Sequence, residues 1–95
     1  MINGLFIDDR GTKRYYLDGQ LHRNDGPAVE YPDGSQFYWQ HNKLHREDGP
    51  AYKHISKNTQ GNKTTSLRWF FRGKQIMCKT QAEFERLLKL QILWE

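Results

Sequence analysis

Ninety-five residues with 15 Lys plus Arg, 11 Asp plus Glu and a formal net charge of +4 describe one small basic chain. Such a length buries roughly 60 to 65% of its unfolded surface, enough for one modest core and no second domain. Nothing resembles a secretory apolar run at the start, no window reaches the roughly 18 apolar residues of a membrane span, and Cys78 is alone, so a reducing cytoplasm, a plain thiol and no membrane association are expected.

In chain order, Leu5, Phe6 and Ile7 read as a short strand and Asp8 to Gly11 as the turn that ends it, the tail of a truncated repeat over residues 1–10. Lys13 to Leu17 is then a strand, Asp18-Gly19 a turn and Gln20 to His22 the returning strand. Leu21 to Ala28 follows as LHRNDGPA, and Leu44 to Ala51 reads LHREDGPA, seven identities in eight at a spacing of 23. Repetition of that quality marks one supersecondary unit used more than once. The first unit spans residues 11–33 and the second 34–55, with strands at Gln36 to Gln40 and Lys43 to His45 around a His41-Asn42 turn.

Residues Ile55 to Ser66, rich in Ser, Asn, Thr, Gln, Gly and Lys, read as a mobile loop, so 56–66 is a loop insertion. Beyond it, 67–78 is a degenerate third unit displaced by 31 instead of 23. A two-residue type I′ turn needs positive φ at both central positions, so the second should be Gly or Asn. Gly19, Asn42 and Gly73 occupy that place in the three units. Aligned, the units give two aromatic columns: Tyr15, Tyr38 and Trp69, then Tyr16, Trp39 and Phe70. Strand alternation puts the columns on opposite faces. Thr80-Gln81-Ala82-Glu83 fits a capping box, predicting a helix within 80–95. Its apolar arc of about 200° is wider than a surface helix needs, and Leu90, Leu93 and Trp94 are candidates for contact with a second molecule.

The run from Arg10 to about Tyr52 resembles the LHRxDGPA repeats of small phage, giant-virus and bacterial proteins, which are similar to MORN-type β-hairpin repeats. The resemblance implies a β-hairpin repeat fold and a non-enzymatic interaction role, and it carries over no catalytic residues. The expected fold is therefore mainly β, an antiparallel sheet of hairpin repeats with one C-terminal α-helix. No cofactor is expected.

Three chemistries compete for the repeated polar residues. His22, Arg23 and Asp25, recurring as His45, Arg46 and Asp48, could pair a base with its orienting carboxylate. Residues needed in every unit are more often needed by the unit's own fold; in Asp-Gly-Pro, Asp favours the turn, Gly supplies an unusual φ and Pro starts the next strand. Equivalent histidines should lie on the order of 10 Å apart, too far to share a metal. Binding is the stronger expectation. Arg14, Tyr16, Trp39, Arg68 and Phe70 share a face, with Arg23, Arg46, Arg72 and Lys74 as supporting charges at hairpin ends, and a host or partner protein is the expected ligand. Nucleic acid or a nucleotide on the same basic aromatic face is the alternative, and open sheet edges suit a homodimer.

Overall fold

The computed structural model describes residues 2–94, with side chains through Leu90. Among the described residues ten strands and one helix follow in order: β1 Gly4–Ile7, β2 Lys13–Leu17, β3 Gln20–Leu21, β4 Val29–Glu30, β5 Gln36–Phe37, β6 Trp39–Gln40, β7 Lys43–Leu44, β8 Tyr52–Lys57, β9 Lys63–Phe71, β10 Lys74–Ile76 and α1 Gln81–Trp94. The main sheet runs β1-β2-β4-β5-β8-β9-β10, with β3 against β2, while β6 and β7 form a separate hairpin. Every pairing is antiparallel. The result is a thin slab of 45 × 43 × 17 Å. Its radius of gyration of 14.8 Å exceeds the roughly 12.4 Å of a compact globule of this length. A one-layer sheet buries few side chains completely.

The upper turns obey the type I′ requirement in all three units. Asp18 and Gly19 have φ of 51° and 78°, His41 and Asn42 49° and 64°, Arg72 and Gly73 52° and 84°. Each is held by the unit before it. The N–H groups of Asn42 and Gly73 donate to the carbonyls of Leu21 and Leu44, at 3.0 and 2.8 Å. Those of His41 and Arg72 donate to Nδ1 of His22 and His45, at 3.1 and 2.8 Å. At the start of the chain Ile2 and Asn3 do the same work: Gly19 N–H meets the Ile2 carbonyl at 2.8 Å, and Asp18 N–H meets Asn3 Oδ1 at 2.8 Å. The truncated first repeat thus supplies a cap.

Three elements differ from the sequence reading. The strand expected over Gln36 to Gln40 divides at Tyr38, whose N–H donates to the Ala51 carbonyl and whose carbonyl accepts from His45 N–H; at that residue the strand changes partner. The expected mobile loop is the end of a β-hairpin, with β8 and β9 paired from Tyr52↔Arg68 to Lys57↔Lys63. Its turn is the lower turn of the earlier units: Asn58 N–H donates to the Asn62 carbonyl as Asp8 does to Thr12 and Tyr31 to Ser35, and Gly11, Gly34 and Gly61 all have positive φ. Gly61 lies 27 residues after Gly34 and 12 before Gly73, where one unit earlier the intervals are 23 and 8. The insertion is therefore four residues in each arm, an even number that keeps every side chain on its own face.

The third difference concerns Gly26 and Gly49, neither of which lies at positive φ. A Cβ there would stand 3.1 Å from the guanidinium carbon of Arg23 and 2.7 Å from that of Arg46. Glycine leaves room for the arginine folded against it, and the backbone there is not left-handed.

The helix closes the far end. Thr80 Oγ1 accepts from Glu83 N–H at 3.2 Å, the cap that its sequence announces. Gln81 accepts from Trp69 Nε1–H at 2.8 Å and donates to the Glu47 carbonyl at 2.9 Å. Phe84 is fully buried and Trp69 is 6% exposed. The helix begins where the motif of the third unit would continue: Gln75, Ile76 and Met77 stand in the places of Leu, His and Arg. Cys78 is a half-buried free thiol, and burial first, then Glu83, raises its pKa, which keeps it protonated and unreactive. No helix among the described residues is long and apolar enough to cross a membrane.

Candidate functional site

The two faces of the sheet are chemically different. On the Tyr15, Tyr38 and Trp69 side, the guanidinium of Arg23 lies 4.0 Å over the ring of Tyr15, and that of Arg46 lies 4.0 Å over Tyr38. Each arginine also binds its own loop. Arg23 Nε–H donates to Asp25 at 3.0 Å and Nη1 to the Pro27 carbonyl at 3.1 Å; Arg46 meets Asp48 at 2.9 Å and the Pro50 carbonyl at 3.3 Å. Arg23 also approaches Glu30 at 3.5 Å. The Ala28 and Ala51 that end the motif are fully buried. Charge, stacking and close backbone approach together fold each LHRxDGPA loop onto the sheet.

The electrostatics agree. Hydrogen bonds from Arg23 and Arg46 hold the carboxyls of Asp25 and Asp48 below the usual range. Burial lowers the pKa of His45, outweighing Glu47, whose carboxylate lies 3.7 Å from Nε2. A neutral ring is also what the turn needs, since His45 Nδ1 accepts the Arg72 N–H. Between the two loops lies a groove of about 640 Å³ lined by residues that include Arg23, Asp25, Tyr38, His45, Arg46 and Asp48. Its two arginines and two aspartates are paired within the chain, and Glu47 also lies on its wall. Among the described residues no group of three His, Cys, Asp or Glu side chains is arranged to hold a metal.

The opposite face carries a row that crosses six strands in register. Phe6 stands opposite Arg14, Arg14 opposite Val29, Val29 opposite Phe37, Phe37 opposite Tyr52 and Tyr52 opposite Arg68. At about 4.8 Å per strand the row is roughly 24 Å long. Diagonal neighbours extend it, Phe6 meeting Tyr16 edge-on at 5.6 Å and Tyr31 meeting Phe37 at 5.5 Å, while the directly opposed Phe37 and Tyr52 rings lie 5.0 Å apart. Such pairs are how an aromatic face holds its shape. Val29 is buried beneath its neighbours, whereas Phe6 and Tyr31 are 47% and 39% exposed.

The binding residues expected from sequence fall into three places. Arg14 and Arg68 lie in the row, and alternation along the strands adds Tyr16, Trp39 and Phe70 to its face. Arg14 is not a free cation, because its Nη1 sits 3.0 Å from Asp8; Arg68 lies 5.0 Å over the Tyr52 ring. Arg23 and Arg46 are on the other face, committed to the loops, which corrects their expected role as supporting charges: the Gly-Pro backbone draws their heads inward. Arg72, in the last upper turn, and Lys74, just after it, are exposed, Arg72 resting 5.1 Å from the Phe71 ring centroid. Leu90 is 47% exposed, while the side chains of Leu93 and Trp94 lie outside the described residues. Phe6, Tyr31 and Tyr52 were not singled out from sequence. Only the pairing of strands from different units places them beside Arg14 and Phe37.

Comparison with protein-family models, with curated proteins and with solved structures finds no match.

Proposed function

We infer that the chain is a non-enzymatic binding protein whose repeat sheet engages another protein through the Phe6-Arg14-Val29-Phe37-Tyr52-Arg68 row. The observation that carries this reading is the row itself: a continuous, partly exposed aromatic surface across six strands, ending at an apolar edge strand. In β1 and beside it Ile2, Leu5, Phe6 and Ile7 are all 46% exposed or more. Aromatic and arginine side chains on a rigid backbone are what the centre of a protein interface uses. The polar motif residues, by contrast, are engaged in holding loops and turns, which supports a structural rather than catalytic role for them. The nucleic-acid alternative on this face is weakened by the ion pair of Arg14 with Asp8 and by the commitment of Arg23 and Arg46 elsewhere.

The resemblance of the LHRxDGPA units to those of phage and viral proteins points to a modulator or inhibitor of a host factor, acting in the host cytoplasm. The open β1 edge also suits self-association, strand against strand. The test is an affinity purification from the native host cell, with nuclease treatment and a salt ladder, using the wild type and Phe6→Asp/Tyr31→Asp. One protein retained through high salt by the wild type and lost by the variant supports the reading. Retention that ignores the substitutions, or no protein held through high salt and nuclease, overturns it.

A further inference from the structure

The lengthened β8–β9 hairpin has a composition unlike the rest of the chain. From residue 52 to residue 68 there are four Lys and Arg (Lys53, Lys57, Lys63 and Arg68) and no Asp or Glu. The whole chain has 15 basic and 11 acidic residues, so outside this segment 11 face 11. The entire formal net charge of +4 sits on one hairpin.

That hairpin also stands clear of its neighbours. Its last register pair with β5 is Lys53 with Gln36, and its last tie to the preceding turn is Ile55 N–H to Ser35 Oγ at 2.9 Å. On the other side β10 reaches only to Trp69. Two ladder pairs, Ser56↔Thr64 and Lys57↔Lys63, and the turn they carry therefore project beyond that tie, roughly 7 Å of ribbon at about 3.4 Å per residue before the turn itself. Residues 56 to 65 are all exposed. Lys57 and Lys63 stand directly opposite one another, an arrangement that repels in the free protein and is relieved by an anion between or beside them.

We propose that this hairpin is a nucleic-acid-binding finger that enters the major groove of duplex DNA and contacts phosphates on the groove walls. The B-DNA major groove is about 12 Å wide and 8.5 Å deep and admits a two-stranded β-ribbon, which the finger is long enough to fill. The A-form RNA major groove is too narrow for it. The side chains distinguish DNA from an acidic protein as the occupant. Lys, Ser, Thr, Asn and Gln make up the tip; these are the residues that contact phosphates and sugars, whereas Lys and Ser are depleted in protein interfaces. Lysines at 53, 57 and 63 fall on one face by strand alternation, and Ser56, Thr64 and Ser66 on the other offer hydroxyls. This surface is separate from the aromatic row's apolar end at β1, and it does not depend on the protein-binding reading.

The test is fluorescence anisotropy with the full-length protein and a labelled 20-base-pair DNA duplex across a salt series. Three phosphate contacts predict a slope of log affinity on log salt of about −2 to −3. Lys57→Gln/Lys63→Gln should weaken binding about tenfold or more in low salt and reduce the slope by about 2, without lowering the melting temperature because the lysine pair is exposed and self-repelling. Lys43→Gln, at a different turn, should change neither. Absence of binding overturns the proposal, as does binding indifferent to the double substitution. An RNA duplex of the same length bound as tightly overturns the groove assignment, and polyglutamate competing equally per charge would make the finger a site for acidic protein segments instead.

Discussion

A methyl group on the Cα of Gly49 would stand 2.7 Å from the guanidinium carbon of Arg46. The equivalent distance in the first unit, Gly26 to Arg23, is 3.1 Å. Gly49→Ala should therefore destabilise by about 1 kcal/mol and Gly26→Ala by less, because the group in the way is a flexible arginine head that can shift at the cost of its ring and carbonyl contacts. Urea denaturation would measure both. In an Arg46→Ala background the cost of Gly49→Ala should largely vanish, since the clash has lost its partner.

Arg46 should matter more than the carboxylate it pairs with. The Asp48 side chain is 87% exposed, so Asp48→Asn should cost no more than about 1 kcal/mol. Arg46→Lys retains the charge but loses the planar fork that reaches the Pro50 carbonyl while covering Tyr38, and should cost about 1–2 kcal/mol. The reverse order in thermal melts would contradict the stacked arrangement.

His45 makes stability depend on pH in a definite direction. Its folded pKa is lowered from 6.5 by burial, so below that value the unfolded chain binds the proton more readily than the folded one. Stability is then fully present above about pH 6.5 and declines as the pH falls from there toward the folded pKa. His45→Asn should flatten this limb while keeping the turn, because Asn3 already shows an Asn side chain accepting the equivalent N–H. Melting temperatures between about pH 5 and 7 for the two proteins would decide it. A further loss below about pH 4 is expected in both as Asp25 and Asp48, whose pKa values are lowered by their arginines, take up protons.

Removing residues 54–57 together with 63–66 rejoins Lys53 to the Asn58–Asn62 turn and that turn to Leu67. The intervals of 23 and 8 between lower and upper turns are restored, and Lys53 falls where Glu30 does one unit earlier. This shortened protein should fold with a circular dichroism spectrum like that of the parent and a melting temperature within a few degrees. Removing an odd number from one arm should not be tolerated, since it turns the aromatic row over.

The hairpin turns and the helix start were legible in the sequence because their chemistry is local: positive φ selects Gly19, Asn42 and Gly73, and Thr80 faces Glu83. The lengthened hairpin was not, because with polar residues on both faces the alternation that signals a strand disappears. Only its Asn58 to Gly61 turn and the even length of the insertion carry the information. The reason for Gly26 and Gly49 was hidden for another cause. A glycine chosen for space and one chosen for φ look identical until the arginine three positions earlier is seen folded back over it. The same distance in three dimensions separates the expected surface role of Arg23 and Arg46 from the inward one they have.

Because each upper turn is held by the Leu and His of the unit before it, the array has a direction. Ile2 and Asn3 secure the Asp18 turn, His22 the His41 turn and His45 the Arg72 turn, while the ties that run back, Leu21 N–H to Asn42 Oδ1 at 2.7 Å and His41 Nδ1 to Gln20 Oε1 at 3.2 Å, reach β3 and not a turn. Damage should therefore travel one way. Loss of Asn3 loosens the first hairpin and, through His22, the turn that follows it, whereas loss of His45 frees only the final hairpin, which meets the helix through Trp69. The N-terminal end acts as a template and the C-terminal end as the dependent copy, so the helix that closes the sheet rests on the integrity of everything upstream.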